Sequence, residues 1–239
     1  PEAVRSYEQV LERAGYTLGR LRPETVRALY GNQLKLSASQ VDRLATCRFS
    51  YFLRYGLQAK ERKEITVDPA EFGTFVHFVL ERTARAVCNA GGFQKVSLER
   101  TEELALGYAE VYQDTYFSAL GERSSRETYL FQRNLMELQA VVQELWEELC
   151  VGQFQPAGFE VEFGEHGQMP PVEIPGAEVP AQIRGFVDRI DLYQKEGETY
   201  LRVVDYKTGR KEFDYCDVLH GVGLQMLIYL YALELEGAQ

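Results

Sequence analysis

The 239-residue chain has few cysteines and lacks several features that would define a function class. Its four cysteines are far apart and never form a C-x-x-C pair, which excludes a closed zinc site and favours free thiols in a reducing, cytoplasmic compartment. It has no run of about 18 apolar residues, so we expect no membrane span. The phosphate-binding pattern G-x-x-x-x-G-K-[ST] is also missing, which excludes that class of NTPase.

Basic charge is in short supply as well. The formal net charge is −10, which argues against a general polyanion binder. Any contact with nucleic acid must therefore be local or be neutralised through metal ions. With 45% hydrophobic residues, the chain can build one large or two small cores. It starts at Pro1 without a signal peptide, and we expect it to be a piece of a longer protein.

The first part of the chain is predicted to be helical. Ser37 and Gln40 form a capping-box pattern that opens a helix over 37–57. After a polar connection over 60–67, Asp68 and Pro69 have the residue types of an N-cap and an N1 position and predict a helix over 68–87. Two further amphipathic helices are predicted over about 98–120 and 126–150.

The second part switches to the two-residue period of strands at 158–164. A Pro/Gly-rich loop over about 165–180 precedes predicted strands at 181–194 and 199–209, and a helix at 222–236 ends the chain. We expect a helical lead-in over 1–67 that contains Cys47, and a core over 68–239 with a helical insertion at about 98–150.

Two aspartates are predicted to meet across a hairpin. With Glu196-Gly197 as a two-residue turn, position i pairs with 393 − i, so Asp188 lies opposite Asp205. Two such carboxylates about 4 Å apart repel by roughly 4 kcal/mol at an effective dielectric of 20, and a divalent cation removes that repulsion. Oxygen ligands favour magnesium or manganese. Alternatively, Asp188 pairs with Arg184 or Arg189 at the surface.

Residues near these aspartates add to the pattern. Lys207 follows Asp205 at i+2, on the same face of an extended chain, although a solvent-exposed ion pair at a strand end is the simpler interpretation. His77 shares a helical stripe with Gly73 and Glu81. A lone helical histidine is more often a core residue than a ligand, but a glycine in the same stripe suggests a close approach to the helix backbone.

Four segments in order carry a family resemblance: GTFVHFVLE, GFVDRID, VVDYKTG and Q-x-x-x-Y. Together they resemble the RecB-like branch of the PD-(D/E)XK nucleases. The segment LSASQVDRLATCRFSYFLRYGL resembles the lead-in of the AddB-like helicase–nuclease subunits, and the similarity covers about residues 31–235. It implies a restriction-endonuclease-like α/β (α+β) fold, with a small mixed central sheet flanked by helices.

The resemblance also implies roles for individual residues. Asp188, Asp205 and Lys207 would be catalytic, and the metal, Mg²⁺ or Mn²⁺, would be held by His77, Asp188, Asp205 and the Tyr206 main-chain carbonyl. Accessory residues, of which the last two lie near the DNA, would be Glu81, Gln225 and Tyr229.

The implied function is Mg²⁺-dependent (exo)deoxyribonuclease activity in double-strand break repair and recombination. The substrate would be a single DNA strand leaving an unwound duplex, and the partner an AddA-like helicase–nuclease subunit. One alternative is a catalytically inactive nuclease-fold module that binds DNA or another subunit. Another is a small-molecule hydrolase that uses a metal, which would need a concave pocket.

The sequence departs from the family near Cys47. Arg48 stands where the family usually has a proline. In AddB-like proteins this cysteine and three more beyond the terminal helix hold a 4Fe-4S cluster, and the chain to Gln239 contains none of those three. We therefore expect the cluster only in a full-length parent, and Cys47 as a free thiol here.

Overall fold

The structure is a computed structural model that describes residues 4–8, 10, 19–60, 69–120, 125–176, 179–207 and 213–237. Three sequence predictions lie outside these residues. They are the N-cap at Asp68, most of the polar connection over 60–67, and the turn at Thr208-Gly209.

The helices of the described residues from 19 onward dominate the first part of the chain. They are α1 (Pro23–Tyr30), α2 (Ala38–Thr46), α3 (Arg48–Tyr51), a π-helical turn (Phe52–Gly56), α4 (Pro69–Asn89), α5 (Leu98–Leu120), α6 (Ser125–Val151), α7 (Tyr215–Leu219) and α8 (Gln225–Gly237). None of the described helices is both long and apolar enough to cross a membrane.

The strands form two small sheets. They are β1 (Leu34–Leu36), β2 (Gln155–Phe163), β3 (Val172–Ile174), β4 (Ala181–Ile183), β5 (Gly185–Lys195) and β6 (Glu198–Val204). One sheet is antiparallel with the order β2-β5-β6; the other has the order β1-β4-β3, in which β1 and β4 are parallel. The predicted α/β class with small sheets and flanking helices is confirmed, and the mixed pairing occurs in the second sheet.

The long helices α4, α5 and α6 pack together as a scaffold beside the antiparallel sheet. Their apolar stripes interlock, and strand β2 contributes Phe159 to the same cluster. The apolar stripe of α4 is buried at Phe75, Val76, Val79 and Leu80. Burial of such side chains stabilises the fold by about 1.5–3 kcal/mol each, so this scaffold fixes the helix that carries His77.

A second apolar cluster joins the two sheets to helix α8. Phe163 and Tyr229 meet edge-to-face with ring centroids 5.7 Å apart. Gly185 permits this packing, because a Cβ at that position would lie 3.1 Å from the Phe163 ring. The cluster therefore fixes α8, and with it Gln225, against the sheet.

The structure corrects several details of the sequence prediction. The helix predicted over 37–57 is interrupted at Cys47, whose extended backbone (φ −158°, ψ 104°) ends α2 and starts α3. The strand predicted over 181–194 breaks at Arg184, where the chain passes from one sheet to the other. The short strands β1 and β3 were not predicted, and β3 lies inside the predicted loop.

Candidate active site

The β5–β6 hairpin has the predicted register. Lys195 pairs with Glu198, and the pairing continues to Arg189 with Val204, which sums to 393 throughout. Glu196 (φ 54°) and Gly197 (φ 86°) both adopt the left-handed conformation that a tight two-residue turn requires. Strand β6 ends at Val204, so the register brings Asp205 beside Asp188 as the chain leaves the sheet.

Asp188 is 9% exposed and faces inward from β5. Its Oδ2 atom accepts a hydrogen bond of 2.8 Å from the main-chain N–H of Tyr206. Burial raises the pKa of this carboxyl group, the Tyr206 N–H and His77 lower it, and the Asp205 charge raises it again. The alternative pairing with Arg189 is wrong, because Arg189 contacts Asp191.

His77 of α4 lies between Asp188 and the Tyr206 carbonyl. Its Nδ1 is 3.4 Å from Asp188 Oδ2, and its Nε2 is 2.7 Å from Tyr206 O. A neutral ring carries one proton, so one of its nitrogens must face an oxygen lone pair with its own lone pair. A cation beside that nitrogen, or a proton on the Asp188 carboxyl group, would make both contacts favourable.

Glu160 is a member of the site that the sequence analysis missed. His77, Asp188 and Glu160 present ligand atoms that all lie within 4.8 Å of one another. Glu160 has φ 46°, a strained conformation for a non-glycine residue within a strand. Burial, then the charges of Asp188 and Glu81, raise the pKa of its carboxyl group. The strained backbone turns an acid towards two other potential ligands.

Asp205 and Lys207 form a second group beside this one. Lys207 Nζ lies 2.9 and 2.8 Å from the two carboxylate oxygens of Asp205, whose side chain is only 8% exposed. Gln225 Nε2 donates to Asp205 Oδ1 at 2.9 Å and contacts the Tyr229 hydroxyl oxygen at 2.8 Å. Burial raises the pKa of Tyr229 to about 12. The predicted ligand Asp205 therefore lies outside the three-residue group but is held next to it.

Two clefts meet at Lys207. The histidine cleft, of about 610 Å³, is lined by Gly73, Thr74, His77, Phe78, Glu81, Glu160, Tyr206 and Lys207. The aspartate cleft, of about 270 Å³, is lined by Asp42, Asp205, Lys207, Phe213, Asp214, Asp217, Val218, Val222, Gly223, Gln225 and Met226. Gly73 thus lies where the sequence suggested a close approach. Glu81 accepts a hydrogen bond of 2.7 Å from Arg85 Nε and faces the histidine cleft.

An ion-pair network supports the site from behind. Arg189, 1% exposed, contacts Asp191, Glu148 of α6 and the Tyr206 hydroxyl oxygen, the last at 2.9 Å. Arg202 of β6 binds the same two acids, with 2.6 Å between Nη2 and Asp191 Oδ2. Tyr206 therefore joins this network to the candidate active site, because its main chain contacts Asp188 and His77 while its phenol is fixed by Arg189.

The donors fit a hard divalent cation. Two carboxylates, an imidazole and a main-chain carbonyl converge, and oxygen-rich sets of this kind suit Mg²⁺ or Mn²⁺. Burial raises the pKa of the Asp188 and Glu160 carboxyl groups, and a neighbouring acid raises each further, so their ionised forms would be stabilised by an added positive charge. Held in this position, a cation would provide that charge.

Comparison with known proteins identifies the class. A sequence profile of the PD-(D/E)XK nuclease superfamily matches residues 35–239, and the chain belongs to that superfamily. Among curated proteins, the B subunit of the ATP-dependent helicase/deoxyribonuclease of Caldanaerobacter subterraneus subsp. tengcongensis is 38% identical over 223 residues, which is 92% of this chain and 19% of the relative.

Other relatives of the same name agree. The corresponding B subunits of Clostridium botulinum (strain Loch Maree / Type A3) and Thermoanaerobacter sp. (strain X514) are each 35% identical, over 92% and 97% of this chain and 19% and 20% of theirs. The chain therefore spans about a fifth of the length of the curated relatives it matches. The predicted resemblance to the AddB nuclease domain is confirmed.

Cys47, the residue that the resemblance assigns to a cluster, is exposed and is not in a disulfide. Its Sγ accepts from the Ser50 N–H at 3.4 Å and so caps α3. The expectation that this chain binds no iron–sulfur cluster stays a prediction.

Proposed function

We propose that this chain is the nuclease domain of a helicase–nuclease subunit and that it hydrolyses DNA phosphodiesters with Mg²⁺ or Mn²⁺. The observation that carries the proposal is the convergence of His77, Asp188 and Glu160 next to the Asp205–Lys207 pair. Superfamily membership and the names of the relatives support the same activity.

We assign metal binding to the acidic residues and His77, and substrate contact to Lys207. His77, Asp188 and Glu160, with Asp205 and the Tyr206 carbonyl beside them, would hold the metal. A bound cation lowers the pKa of a coordinated water and offsets the charge that develops on the phosphate. The Tyr206 N–H keeps the Asp188 carboxylate directed into the site.

Lys207 would contact the substrate directly. Its side chain is 43% exposed and its ammonium group contacts Asp205. An N–H that has no other partner among the described residues could orient the attacking water or donate to a phosphate oxygen. Gln225 would hold Asp205 in place through its 2.9 Å hydrogen bond. Glu81 acts on Glu160 through its charge, and Tyr229 acts on Gln225.

The biological setting follows from the relatives. Their name joins an ATP-dependent helicase to a deoxyribonuclease and so describes a protein that couples a motor to a nuclease. We infer that the domain degrades single-stranded DNA exonucleolytically as a complex with an AddA-like helicase–nuclease subunit unwinds a duplex, in cytoplasmic double-strand break repair and recombination.

Cleavage of end-labelled single-stranded DNA tests the activity and its mode. With Mg²⁺ the chain should shorten the strand stepwise, and EDTA should stop it. Asp205→Ala and Lys207→Ala should abolish cleavage with a change in unfolding free energy of no more than about 1–2 kcal/mol, whereas Lys95→Ala, at an exposed position, should retain it.

Two results would contradict the proposal. Cleavage that persists in excess EDTA would exclude the metal mechanism. Binding of DNA without cleavage under any divalent metal would favour the catalytically inactive module instead.

A further inference from the structure

Two aromatic side chains next to the candidate active site are exposed and in contact with each other. Phe213 is 59% and Tyr215 is 78% exposed, and their rings meet edge-on with centroids 5.1 Å apart. We call this pair the aromatic lip. Leu219, one turn beyond Tyr215 on α7, is 85% exposed. Such exposed apolar area close to a site usually marks a surface that binds something.

The aromatic lip is continuous with the candidate active site. Phe213 lines the aspartate cleft together with Asp205, Lys207 and Gln225. Lys207 also lines the histidine cleft, where His77 and Glu160 lie. A base next to a scissile phosphate at Lys207 would therefore reach the lip by extending along the aspartate cleft.

The charge of the aspartate cleft decides which part of the strand can lie there. Asp42, Asp214 and Asp217 line it. Asp42 accepts from the Gly223 N–H at 2.9 Å and Asp214 caps α7 through the Cys216 N–H at 2.7 Å, so both acids are fixed by the fold. They would repel a phosphate chain but not a neutral, flat nucleobase.

We propose that Phe213 and Tyr215 form a stacking surface for bases of single-stranded nucleic acid next to the scissile phosphate. The inference rests on the proposed function and adds a base-binding surface to it. Every base has a π face, so the surface accepts any sequence. Bases within a duplex are stacked on each other and cannot reach it, so the lip favours single strands.

Binding of a labelled oligothymidine, measured by fluorescence anisotropy with Ca²⁺ in place of Mg²⁺, tests the proposal apart from cleavage. Phe213→Ala and Tyr215→Ala should each raise Kd about 5- to 100-fold, the range for loss of one stacked base. Phe213→Leu keeps apolar bulk without a ring and should bind as weakly as Phe213→Ala. Tyr129→Ala, which removes a 65% exposed ring on α6, should bind like the unmodified chain.

Two further measurements separate stacking from other effects. An oligonucleotide with abasic sites next to the cleavage position should bind the unmodified chain as weakly as the normal strand binds Phe213→Ala. Phe213→Ala should bind the abasic and the normal strand with the same affinity, because the variant has already lost the stacking contact. The slope of log Kd against log salt should stay unchanged in the lip variants, because stacking neutralises no phosphate.

The outcomes distinguish this inference from the proposed function. If the unmodified chain cleaves DNA but Phe213→Ala and Tyr215→Ala bind it as well as Tyr129→Ala does, the lip is not a base platform, and a protein-docking surface is the better account. Retained affinity in Phe213→Leu would replace stacking by a simple apolar contact. If the unmodified chain neither binds nor cleaves single-stranded DNA, both proposals are wrong.

Discussion

Two groups of charged side chains originate from neighbouring positions on strand β5 and are compensated differently. The first surrounds Arg189 and Asp191, which are 1% and 0% exposed. Arg202 and Glu148 complete it, so two positive charges face two negative ones. Buried charges are tolerated when they are paired in this way.

The second group surrounds Asp188, the residue directly before Arg189. Asp188 and Glu160 are both acids, and among the described residues neither forms an ion pair with a lysine or arginine. Burial raises the pKa of both carboxyl groups, and each is raised further by a neighbouring acid.

The two groups therefore differ in net charge. The group around Arg189 is balanced and has a structural role, whereas the group around Asp188 has excess negative charge and is a candidate binding site. The fold could supply guanidinium groups to the acids of β5, as it does for Asp191. At Asp188 it supplies an imidazole, which is itself a metal ligand when neutral. A divalent cation would provide the positive charge that this group still lacks.

Removal of Arg189 should have the largest effect. Arg189→Met leaves Asp191 buried with only Arg202 as a partner, and breaking a buried pair costs about 3–5 kcal/mol. The free energy of unfolding in urea measures the loss. Arg100→Met is the matched control, because Arg100 and Glu103 form a pair that is more than 60% exposed and contributes less than about 1 kcal/mol. Equal stability of the two variants would contradict a structural role for the network.

The group around Asp188 and Glu160, which we call the acid group, should behave in the opposite way. Asp188→Asn removes an uncompensated charge, so the metal-free variant should be as stable as the unmodified chain, or more stable. Mn²⁺ at a hundredfold excess over Kd should stabilise the unmodified chain by about 2.7 kcal/mol, a shift in Tm of about 5–10 °C. Asp188→Asn should lose that shift and the exposed acid variant Asp217→Asn should keep it, as thermal unfolding with and without Mn²⁺ would show. A full shift in Asp188→Asn would place the cation elsewhere.

Part of the group around Asp188, and several elements of the fold, could be predicted from sequence because their contacts are local. The turn at Glu196-Gly197 sets the register of one hairpin, so the approach of Asp188 and Asp205 followed from counting. The capping box at Ser37 and the apolar periods of α5 and α6 depend on residues three or four positions apart. Each of these signals is complete within a short segment.

Other parts depend on which segments become neighbours, which no local pattern contains. Glu160 reaches the site because β2 pairs with β5, with Phe159 opposite Arg189. The two-residue period of residues 158–164 indicated a strand, but it did not indicate which strand lies beside it. Glu148 lies 41 positions before Arg189, and Tyr206 joins the two groups only in the folded chain. The positive φ of Glu160 likewise has no sequence signature.

Glu160 provides a sharper test of the acid group. Glu160→Gln keeps the size of the side chain and removes its charge, and we expect the affinity for Mn²⁺ to fall about 10- to 100-fold. Titration calorimetry with Mn²⁺ measures it directly. Glu162→Gln is the control, because Glu162 lies two positions further along the same strand and outside the three-residue group. Unchanged affinity in Glu160→Gln would remove this residue from the site.

The smallest expected effect is on thiol chemistry beside the paired network. Burial raises the pKa of the Cys88 thiol, the Asp191 charge raises it further, and Arg189 lowers it. Because a raised pKa leaves less thiolate at pH 8, Cys88 should react with iodoacetamide more slowly than the exposed Cys47 and Cys216, and its rate should keep rising at higher pH.

Peptide mass spectrometry of timed alkylation at several pH values measures the three rates separately. Arg189→Met should slow Cys88 further, provided the reaction is run where that variant remains folded, and should leave Cys47 unchanged. If Cys88 in the unmodified chain reacted as fast as Cys47, the thiol would be more accessible to solvent than its packing against the α4–α6 core implies. The paired charges beside it would then be less shielded from water than those of the acid group, which would reverse the contrast between the two.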